Sequence, residues 1–380
     1  MSLHAEIHEQ PAALARLLAT RSAAAREIAR AIRAHDVRWV LLAARGTSDN
    51  AGLYAQYVWG SRNRLAVAMA TPSLFTHYGT PPRLDGALVV GISQSGQSPD
   101  IVGVLAEARR QGAPTLAITN EPESNLAREA TWVLPTGAGA ELAVAATKTY
   151  TTQLLAVAML SAALCDTDDG NAPHRGKAPN GDSRCDDRAD DTTSHGNAED
   201  SSGNASVALH HIPAAIAAAL ALDDSIATAA ARYREIARCV VLGRGFHYAT
   251  ACEWALKLEE LTYSVAEPYS TADFRHGPLA IVGPDFPVLA VVPGGAVFDD
   301  ALALLTALVR ERGADLVAIS DRDEALALAR TPLRVAATVP EWLRPIVDVV
   351  PAQLFCYHLA RAMGRDTEAP RGLSKVTRTW

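Results

Sequence analysis

The sequence is poor in cysteine and has no group of residues with a recognised zinc-binding spacing. Its 380 residues include five scattered cysteines, Cys165, Cys185, Cys239, Cys252 and Cys356, and no CxxC pair. An odd number of cysteines without such a pair argues against a zinc site and fits a reducing compartment. We therefore predict no metal ion at the functional site.

Long apolar runs and a recognisable leader are also missing. No apolar run approaches the roughly 18 residues needed to span a membrane. The N-terminus, MSLHAEIHEQPAALARLL, mixes acidic and basic residues in an amphipathic pattern and so differs from a secretory signal peptide. From these absences we expect a cytoplasmic protein with no membrane partner.

An excess of basic residues is absent as well. The chain has 35 lysines and arginines against 42 aspartates and glutamates, a net charge of −7. Residues 166–205 contain ten acidic and four basic residues, which account for −6 of this charge and leave the remainder near neutrality. A nucleic-acid-binding protein would present a basic surface, so we predict no nucleic-acid partner.

Large apolar side chains are almost absent from residues 165–206. Such a segment cannot bury enough surface to offset the entropy lost on ordering, so we interpret it as a disordered, acidic, low-complexity linker. Its His174, Cys185 and His195 could bind a metal in principle, but the low-complexity interpretation is favoured. The linker separates two predicted domains, residues 1–164 with an N-terminal helix and residues 207–380 with a C-terminal tail.

The two regions repeat one pattern of strand, turn, helix and strand. Residues 37–48, 86–96 and 109–119 match, in order, residues 237–247, 286–296 and 310–320. This rhythm is typical of a parallel sheet wrapped in helices, which binds ligands at the carboxyl ends of its strands. We therefore predict an α/β protein with two tandem doubly wound domains, each a parallel sheet flanked by helices.

A run of hydroxyl and amide side chains, SQSGQS at residues 93–98, follows the apolar strand ALVVGI and precedes a helix expected over residues 99–110. Backbone N–H groups at a helix N-terminus favour an anion, and Gly96 would let the backbone approach it closely. The Walker motif GxxxxGK[ST] is absent, so a phosphate monoester fits better than a nucleoside triphosphate. Capping alone could explain one serine, but three favour an anion site, with predicted contacts from Ser93, Gln94, Ser95 and Ser98.

Several motifs, taken in order, resemble those of one family. SQSGQS resembles the phosphate loop of the SIS (sugar isomerase) fold. Almost the whole chain outside the linker is similar to the isomerase half of glucosamine-6-phosphate synthase and its free-standing relatives, which include glucosamine-6-phosphate deaminases of this fold. The other motifs are EIHEQP (6–11), ARGTSDNAG (44–52), GAELAVAATKTYTTQL (139–154), EWALKLEEL (253–261), AEPYSTADFRHGPLA (266–280) and PRGLSKV (370–376). The resemblance implies two SIS domains that work without a cofactor on a hexosamine or hexose phosphate.

The resemblance assigns chemistry to one predicted helix. A lysine and a glutamate three residues apart are usually a solvated contact on a helix surface. In the family, however, the matching glutamate moves a proton between C1 and C2 of the opened sugar, which makes Glu260 the candidate acid/base. Lys257 would stabilise the developing enediol charge and tune that carboxylate. Glu259 points to another face and is expected at the surface.

Two further catalytic candidates lie in loops. His276, in DFRHGP, would open the sugar ring by resemblance, and in relatives it reaches the site of the neighbouring subunit, which implies a homodimer. Histidine suits proton transfer near neutral pH. Lys375, in the tail GLSKVTRTW, matches a lysine thought to form an imine with the ketose carbonyl. Taken alone, a lysine so near a C-terminus would be interpreted as solvent-exposed.

Four more residues complete the expected pocket. Thr47 and Ser48 follow the first strand, Glu141 could hold a substrate amine or hydroxyl, and Val144 would lend a backbone contact. The sequence also departs from the family pattern. Gln97 and Ser98 stand where the phosphate loop usually has glutamate and threonine, and Ala146 replaces a serine. We expect phosphate binding to tolerate the loss of the acid at position 97, with a change in a contact behind the loop.

The leading functional prediction is an amino-sugar phosphate deaminase/isomerase, which would convert glucosamine 6-phosphate to fructose 6-phosphate and ammonia. One alternative is an enzyme like glutamine-fructose-6-phosphate aminotransferase (isomerizing) that lacks its own glutaminase domain, because no nucleophilic cysteine follows Met1. A fructosamine-phosphate deglycase and a non-enzymatic sugar-phosphate sensor are further alternatives. A sensor has no need of Lys257, Glu260 and His276 together.

Overall fold

A five-stranded parallel sheet organises the first half of the chain. The structure, a computed structural model, describes residues 2–166, 202–336 and 339–376. The strands are β1 (Trp39–Ala43), β2 (Ala66–Met69), β3 (Ala87–Ser93), β4 (Thr115–Thr119) and β5 (Trp132–Pro135). They lie in the order β2-β1-β3-β4-β5, with every neighbouring pair parallel. The central strand β3 is buried along its whole length, as its unbroken apolar run requires.

The second half contains a second parallel sheet with the same topology. Its strands are β6 (Arg238–Gly243), β7 (Val265–Ser270), β8 (Pro287–Val291), β9 (Asp315–Ser320) and β10 (Thr331–Arg334). The order β10-β9-β8-β6-β7 is that of the first sheet when each half is counted from its own first strand. The prediction of two tandem doubly wound α/β domains is therefore confirmed.

Helices cover both faces of the sheets. In the first half they are α1 (Leu3–His8), α2 (Gln10–Arg33), α3 (Thr47–Asn63), α4 (Pro72–Thr76), α5 (Pro99–Arg110), α6 (Asn125–Glu129) and α7 (Lys148–Cys165). In the second half they are α8 (Ser202–His210), α9 (Ile212–Leu220), α10 (Asp223–Ala231), α11 (Tyr248–Thr262), α12 (Thr271–Phe274), α13 (Phe298–Arg310), α14 (Asp323–Leu328) and α15 (Arg344–Ala362). Short 3₁₀ turns occupy Gly245–His247, Pro278–Ile281 and Glu341–Leu343.

Helices extend into both ends of the predicted 165–206 linker. Helix α7 runs to Cys165, and α8 begins at Ser202 because Ala205 and Leu209 pack into the core, each 5% exposed. Of these two residues only Ala205 lies within the predicted linker, and the polar composition of the segment as a whole concealed it. The centre of the predicted linker, with His174, Cys185 and His195, lies outside the described residues.

One hydrophobic core extends through both halves. Helix α3 of the first half packs against α11 of the second, and α15 packs against α1, α7, α9, α10 and α11. Polar contacts cross the same boundary: the Tyr54 hydroxyl donates to the Trp342 carbonyl at 2.7 Å, and Gln10 Nε2 donates to Gln353 Oε1 at 2.9 Å. The carboxyl ends of β1 and β3 are thereby held next to α11.

Membrane-spanning potential is low in the described part of the chain. There, no single helix is both long and apolar enough to cross a bilayer. The segments 205–220 and 223–231, bent by 50° relative to each other, meet the length and composition criteria only as a pair.

Removal of the Tyr54 hydroxyl tests how much the contact between the two halves contributes to the stability of the fold. Tyr54→Phe leaves the buried Trp342 carbonyl without this donor, so we expect a loss of about 1–3 kcal/mol in the free energy of unfolding, measured by urea denaturation. Tyr57→Phe on the same helix is the matched control, because Tyr57 is 39% exposed. Equal urea midpoints for the two variants would contradict this role.

Candidate functional site

A cavity of about 290 Å³ opens at the carboxyl ends of β1 and β3. The strand order reverses between those two strands, since β2 is added on one side of β1 and β3 on the other, and doubly wound sheets bind ligands at such a point. The predicted site residues that line the cavity are Thr47, Ser48, Ser93, Gln94, Ser95, Ser98, Val144, Glu260 and Lys375. The cavity thus joins the predicted phosphate loop of one half to a carboxylate of the other half.

The phosphate loop is folded by its own side chains. The Ser93 hydroxyl accepts from the Gly96 amide at 3.1 Å, and the Ser95 hydroxyl accepts from the Gln97 amide at 3.4 Å. A serine hydroxyl that accepts in this way still has its proton to donate to a ligand. Gly96 has φ +60°, and a Cβ built on it would lie 2.1 Å from Ser124 Oγ, so only glycine fits this turn.

Two helix N-termini face the cavity from neighbouring strands. Helix α3 begins at Thr47, after a short turn that follows β1. Helix α5 begins at Pro99, after the loop that follows β3, as the sequence predicts. Their macrodipoles favour an anion between them. Arg45, which sequence analysis did not select, lines the same cavity and donates from Nε to the buried Asp100 at 2.8 Å. Its guanidinium is half-exposed at the cavity and forms an ion pair with that aspartate.

Glu141 lies behind the cavity wall and connects the C-terminal tail to the rest of the site. Its carboxylate is buried and accepts from the amides of Thr147 and Thr149 at 2.9 and 3.1 Å. It also accepts from the Thr149 hydroxyl and from Lys375 Nζ, both at 2.7 Å. The tail is fixed at a second point, where the Arg371 amide donates to the Tyr263 hydroxyl at 2.8 Å. Lys375 is therefore held at the cavity and does not extend into solvent.

The loop that contains Glu141 is held by the first helix. The buried Glu6 on α1 accepts from the amides of Leu142 and Ala143. Burial raises the pKa of Glu6, although the two amide donors act in the opposite direction. Glu9 pairs with the buried Lys148 at the start of α7. Helix α1 thus sets the position of one wall of the cavity.

Three charged side chains form a buried row along α11. Lys257 is 1% exposed, with its Nζ hydrogen-bonded to Glu260 and 3.5 Å from Glu253 Oε1. Burial alone would lower the pKa of Lys257, but the two carboxylates together raise it. Lys257 therefore stays charged and presents Glu260, whose side chain is 22% exposed, to the cavity.

Glu253 is the member of this row that sequence analysis missed. It is fully buried and accepts from Asn50 Nδ2 at 2.8 Å and from the Thr47 hydroxyl at 3.2 Å, both on α3. Burial raises the pKa of Glu253 to about 7, against the opposing effect of Lys257. The spacing of four and seven residues from Lys257 and Glu260 was the available signal, since such residues share one helix face.

His276 lies apart from these groups within one chain. It is exposed in the loop after α12, and its backbone amide donates to the Asp273 carbonyl at 3.0 Å. It does not line the cavity. The predicted role of His276 therefore depends on a second copy of the chain.

Metal-binding side chains are grouped elsewhere. Among the described residues, the single group of three that could hold one ion is His4, His8 and Asp223, and none of these lines the cavity.

Comparison with known sequences finds relatives along most of the chain. The family model described as SIS domain matches residues 35–163 and 233–363. The glutamine–fructose-6-phosphate aminotransferase (isomerizing) of Bordetella parapertussis is 36% identical over 340 residues, which cover 88% of this chain and 51% of that protein. The chain spans about half the length of the curated relatives it matches.

Comparison with solved structures gives the same fold. The C-terminal domain of glucosamine-fructose-6-phosphate aminotransferase from Francisella tularensis has a TM-score of 0.80 at 28% identity, covering 96% of this chain and 97% of that one. Glucosamine-6-phosphate deaminase from Thermotoga maritima has a TM-score of 0.73 at 20% identity over the full length of both chains. At that lower identity the likeness concerns the fold alone.

The turn at Gly96 generates a prediction for anion binding. Gly96→Ala forces the loop away from Ser124, so we expect at least about tenfold weaker binding of inorganic phosphate by calorimetry, a loss of about 1.4 kcal/mol. Gly79→Ala is the matched control, since Gly79 has φ +61° but nothing within 4 Å of its Cβ position. Unchanged phosphate affinity in Gly96→Ala would remove the loop from this role.

The raised pKa of Glu253 predicts a pH-dependent stability. The folded protein holds this proton up to about pH 7, whereas the unfolded chain releases it near pH 4.5, so folding is favoured less as pH rises through this window. We expect the stability of the wild type relative to Glu253→Gln to fall from pH 5 to pH 7 and then to level off. Urea unfolding of both proteins at each pH measures this difference, and a difference that grows with pH would contradict the assignment.

Proposed function

This chain belongs to the SIS-domain family, and we propose that it is an enzyme that isomerises a hexosamine 6-phosphate between its aldose and ketose forms. The observation that carries the proposal is the shared cavity, in which the loop of residues 93–98 and the carboxylate of Glu260 face one space. Its volume of about 290 Å³ lies at the lower end of small-molecule sites, roughly 300–1,000 Å³, and suits a phosphorylated monosaccharide.

We propose that the substrate phosphate binds between the N-termini of α3 and α5. Ser93, Gln94, Ser95 and Ser98 line one side of this space, and Thr47 with Ser48 lines the other. The helix dipoles and the Arg45 guanidinium supply positive potential for a phosphate monoester. The phosphate would then anchor C6 of the sugar, leaving C1 and C2 at the far end of the cavity.

Glu260 is the proposed acid/base group at that far end. It takes the proton from one of the carbons C1 and C2 and returns it to the other, through an enediol or enolamine intermediate. Lys257 donates a hydrogen bond to this carboxylate and would stabilise the negative charge that develops on the adjacent oxygen of the substrate. Glu253 also holds Lys257 in place, because its carboxylate lies 3.5 Å from Lys257 Nζ.

Lys375 and Glu141 are proposed to act on the carbonyl carbon. The Lys375 amine would attack the C2 carbonyl of the ketose and form an imine with loss of water, after release from its contact with Glu141. The position of Lys375 supports this role, because its side chain lines the cavity and is 22% exposed. Glu141, freed from Lys375, could then hold an amine or a hydroxyl of the sugar.

The comparisons favour amination over the leading sequence-based prediction of deamination. The curated relatives at 33–36% identity are named as aminotransferases (isomerizing), whereas the deaminase shares 20% identity. We therefore propose that ammonia adds to C2 of the Lys375 imine of fructose 6-phosphate, the Lys375 amine leaves to give the ammonia-derived imine, and Glu260 moves the C1 proton to C2 to yield glucosamine 6-phosphate. Deamination is the reverse of the same steps and would use the same residues.

His276 completes the proposed site from a second copy of the chain. Its exposed position outside the cavity fits delivery to a neighbouring subunit, and an imidazole there could open the sugar ring by proton transfer. The active form would then be a homodimer.

Glu260→Gln tests the proposal directly. One positioned acid/base group contributes about 10²–10⁴-fold, so we expect kcat to fall at least about a hundredfold with KM little changed. Glucosamine 6-phosphate formed from fructose 6-phosphate and ammonia is measured alongside ammonia released in the reverse reaction. Glu259→Gln is the matched control, because Glu259 is the exposed neighbour on the same helix.

Three outcomes would count against the proposal. Near wild-type turnover of Glu260→Gln would remove that residue from catalysis. Ammonia release from fructosamine phosphates but not from glucosamine 6-phosphate would support a deglycase. Binding of hexosamine phosphates without turnover in either direction would support a sensor.

A further inference from the structure

Three imidazoles converge on one carboxylate at the junction of α1, α10 and α15. His4 and His8, one turn apart on α1, place their Nε2 atoms 2.7 and 2.8 Å from Oδ2 of Asp223. His358 on α15 places its Nε2 atom 2.5 Å from the other oxygen, Oδ1. We call these four residues the histidine cluster. It shares no residue with the cavity of the proposed active site.

The geometry of the cluster suits a metal ion. One ring nitrogen each from His4 and His8 and a carboxylate oxygen of Asp223 all lie within 4.8 Å of one another. Two ligands of one tetrahedral zinc ion, each about 2.0–2.2 Å from the metal, lie about 3.3–3.6 Å apart, so side-chain adjustments of about 1 Å are required. Histidines four residues apart on a helix lie on the same face, which lets both rings reach one ion.

We propose that His4, His8 and Asp223 form a binding site for a late first-row divalent metal, with Zn²⁺ as the best match. Two imidazole nitrogens and one carboxylate oxygen are ligands that zinc accepts readily, with water completing a tetrahedral site. Each ring presents its Nε2 lone pair when its proton resides on Nδ1, a change of tautomer that needs no net proton loss from a neutral imidazole.

His358 has a different part in this site. It contacts only Oδ1 and lies outside the group of three that could share one ion. By hydrogen-bonding the oxygen that does not face the metal, it would orient the carboxylate, as partners of metal ligands commonly do. The neighbouring Tyr357 stacks on the His4 ring with centroids 4.8 Å apart, which restricts that ring further.

A bound metal would link α1 to α10 in the second half of the chain, because His4 and His8 lie on α1 and Asp223 lies on α10. Helix α1 also carries Glu6, which holds the amides of Leu142 and Ala143 in the cavity wall. We therefore expect zinc binding to slow hydrogen exchange at these two amides. The site would in this way stabilise the wall of a cavity that it does not touch.

Zinc titration of the full-length chain, first stripped with EDTA, tests the site by calorimetry. We expect one Zn²⁺ per chain and a rise in Tm on saturation. His8→Ala removes a ligand and should lower the affinity by at least about a hundredfold, whereas His358→Gln should lower it by about 10–100-fold. His210→Ala, an exposed histidine at the end of α8, is the matched control and should bind as the wild type does.

Two further measurements keep the outcome interpretable. A triple variant, His174→Ala, Cys185→Ser and His195→Ala, should retain the site, because those residues lie outside the cluster. Tm values without metal reveal whether His8→Ala remains folded, and Asp223→Asn serves as a second ligand variant. Absence of stoichiometric binding, equal affinity of His8→Ala and His210→Ala, or loss of binding in the triple variant alone would overturn the proposal.

Discussion

The ion pairs of Lys257 are the interaction on which the site depends. A buried ammonium is costly unless carboxylates surround it, and here Glu253 and Glu260 lie on its two sides. Glu253 in turn accepts from Asn50 and Thr47 on α3, whose N-terminus forms part of the proposed anion site. The proposed acid/base side of the cavity and its proposed anion side are therefore joined through one buried carboxylate, and removing Lys257 would leave both glutamates without their cation.

The two halves share a topology but differ at equivalent loops. In the first half, the turn after β3 leaves its serines facing a cavity. In the second half, the turn after β8 is closed by the protein's own acids: the Gly294 amide donates to Asp321 at 2.8 Å, and the Ala296 amide donates to Glu341 at 3.2 Å. The loop after β8 thus binds carboxylates of the protein itself. The equivalent loop after β3 remains open to the cavity, where a ligand could bind.

Local features of the sequence were sufficient to predict the fold and the position of the loop at residues 93–98. The apolar run of β3 and Pro99 defined the loop between them, and the repeat predicted two sheets of equal topology. Contacts across the chain could not be predicted in this way. Glu253 resembles a solvated helix residue until α3, some 200 residues away, covers it, and Lys375 meets Glu141 across 234 residues. The end of α7 and the start of α8 were not predicted, because the linker was assigned from the average composition of residues 165–206. That average is polar and hides the buried Ala205 at the start of α8.

The central claim is that one ligand spans the cavity from the phosphate loop to Glu260. A crystal structure of the chain with fructose 6-phosphate bound tests it most directly. The account predicts the phosphate at the N-terminus of α5, within hydrogen-bonding distance of Ser93 and Ser95, and C1 or C2 about 3–3.5 Å from a Glu260 oxygen. A phosphate bound elsewhere, or a sugar whose C1–C2 end points away from Glu260, would contradict it.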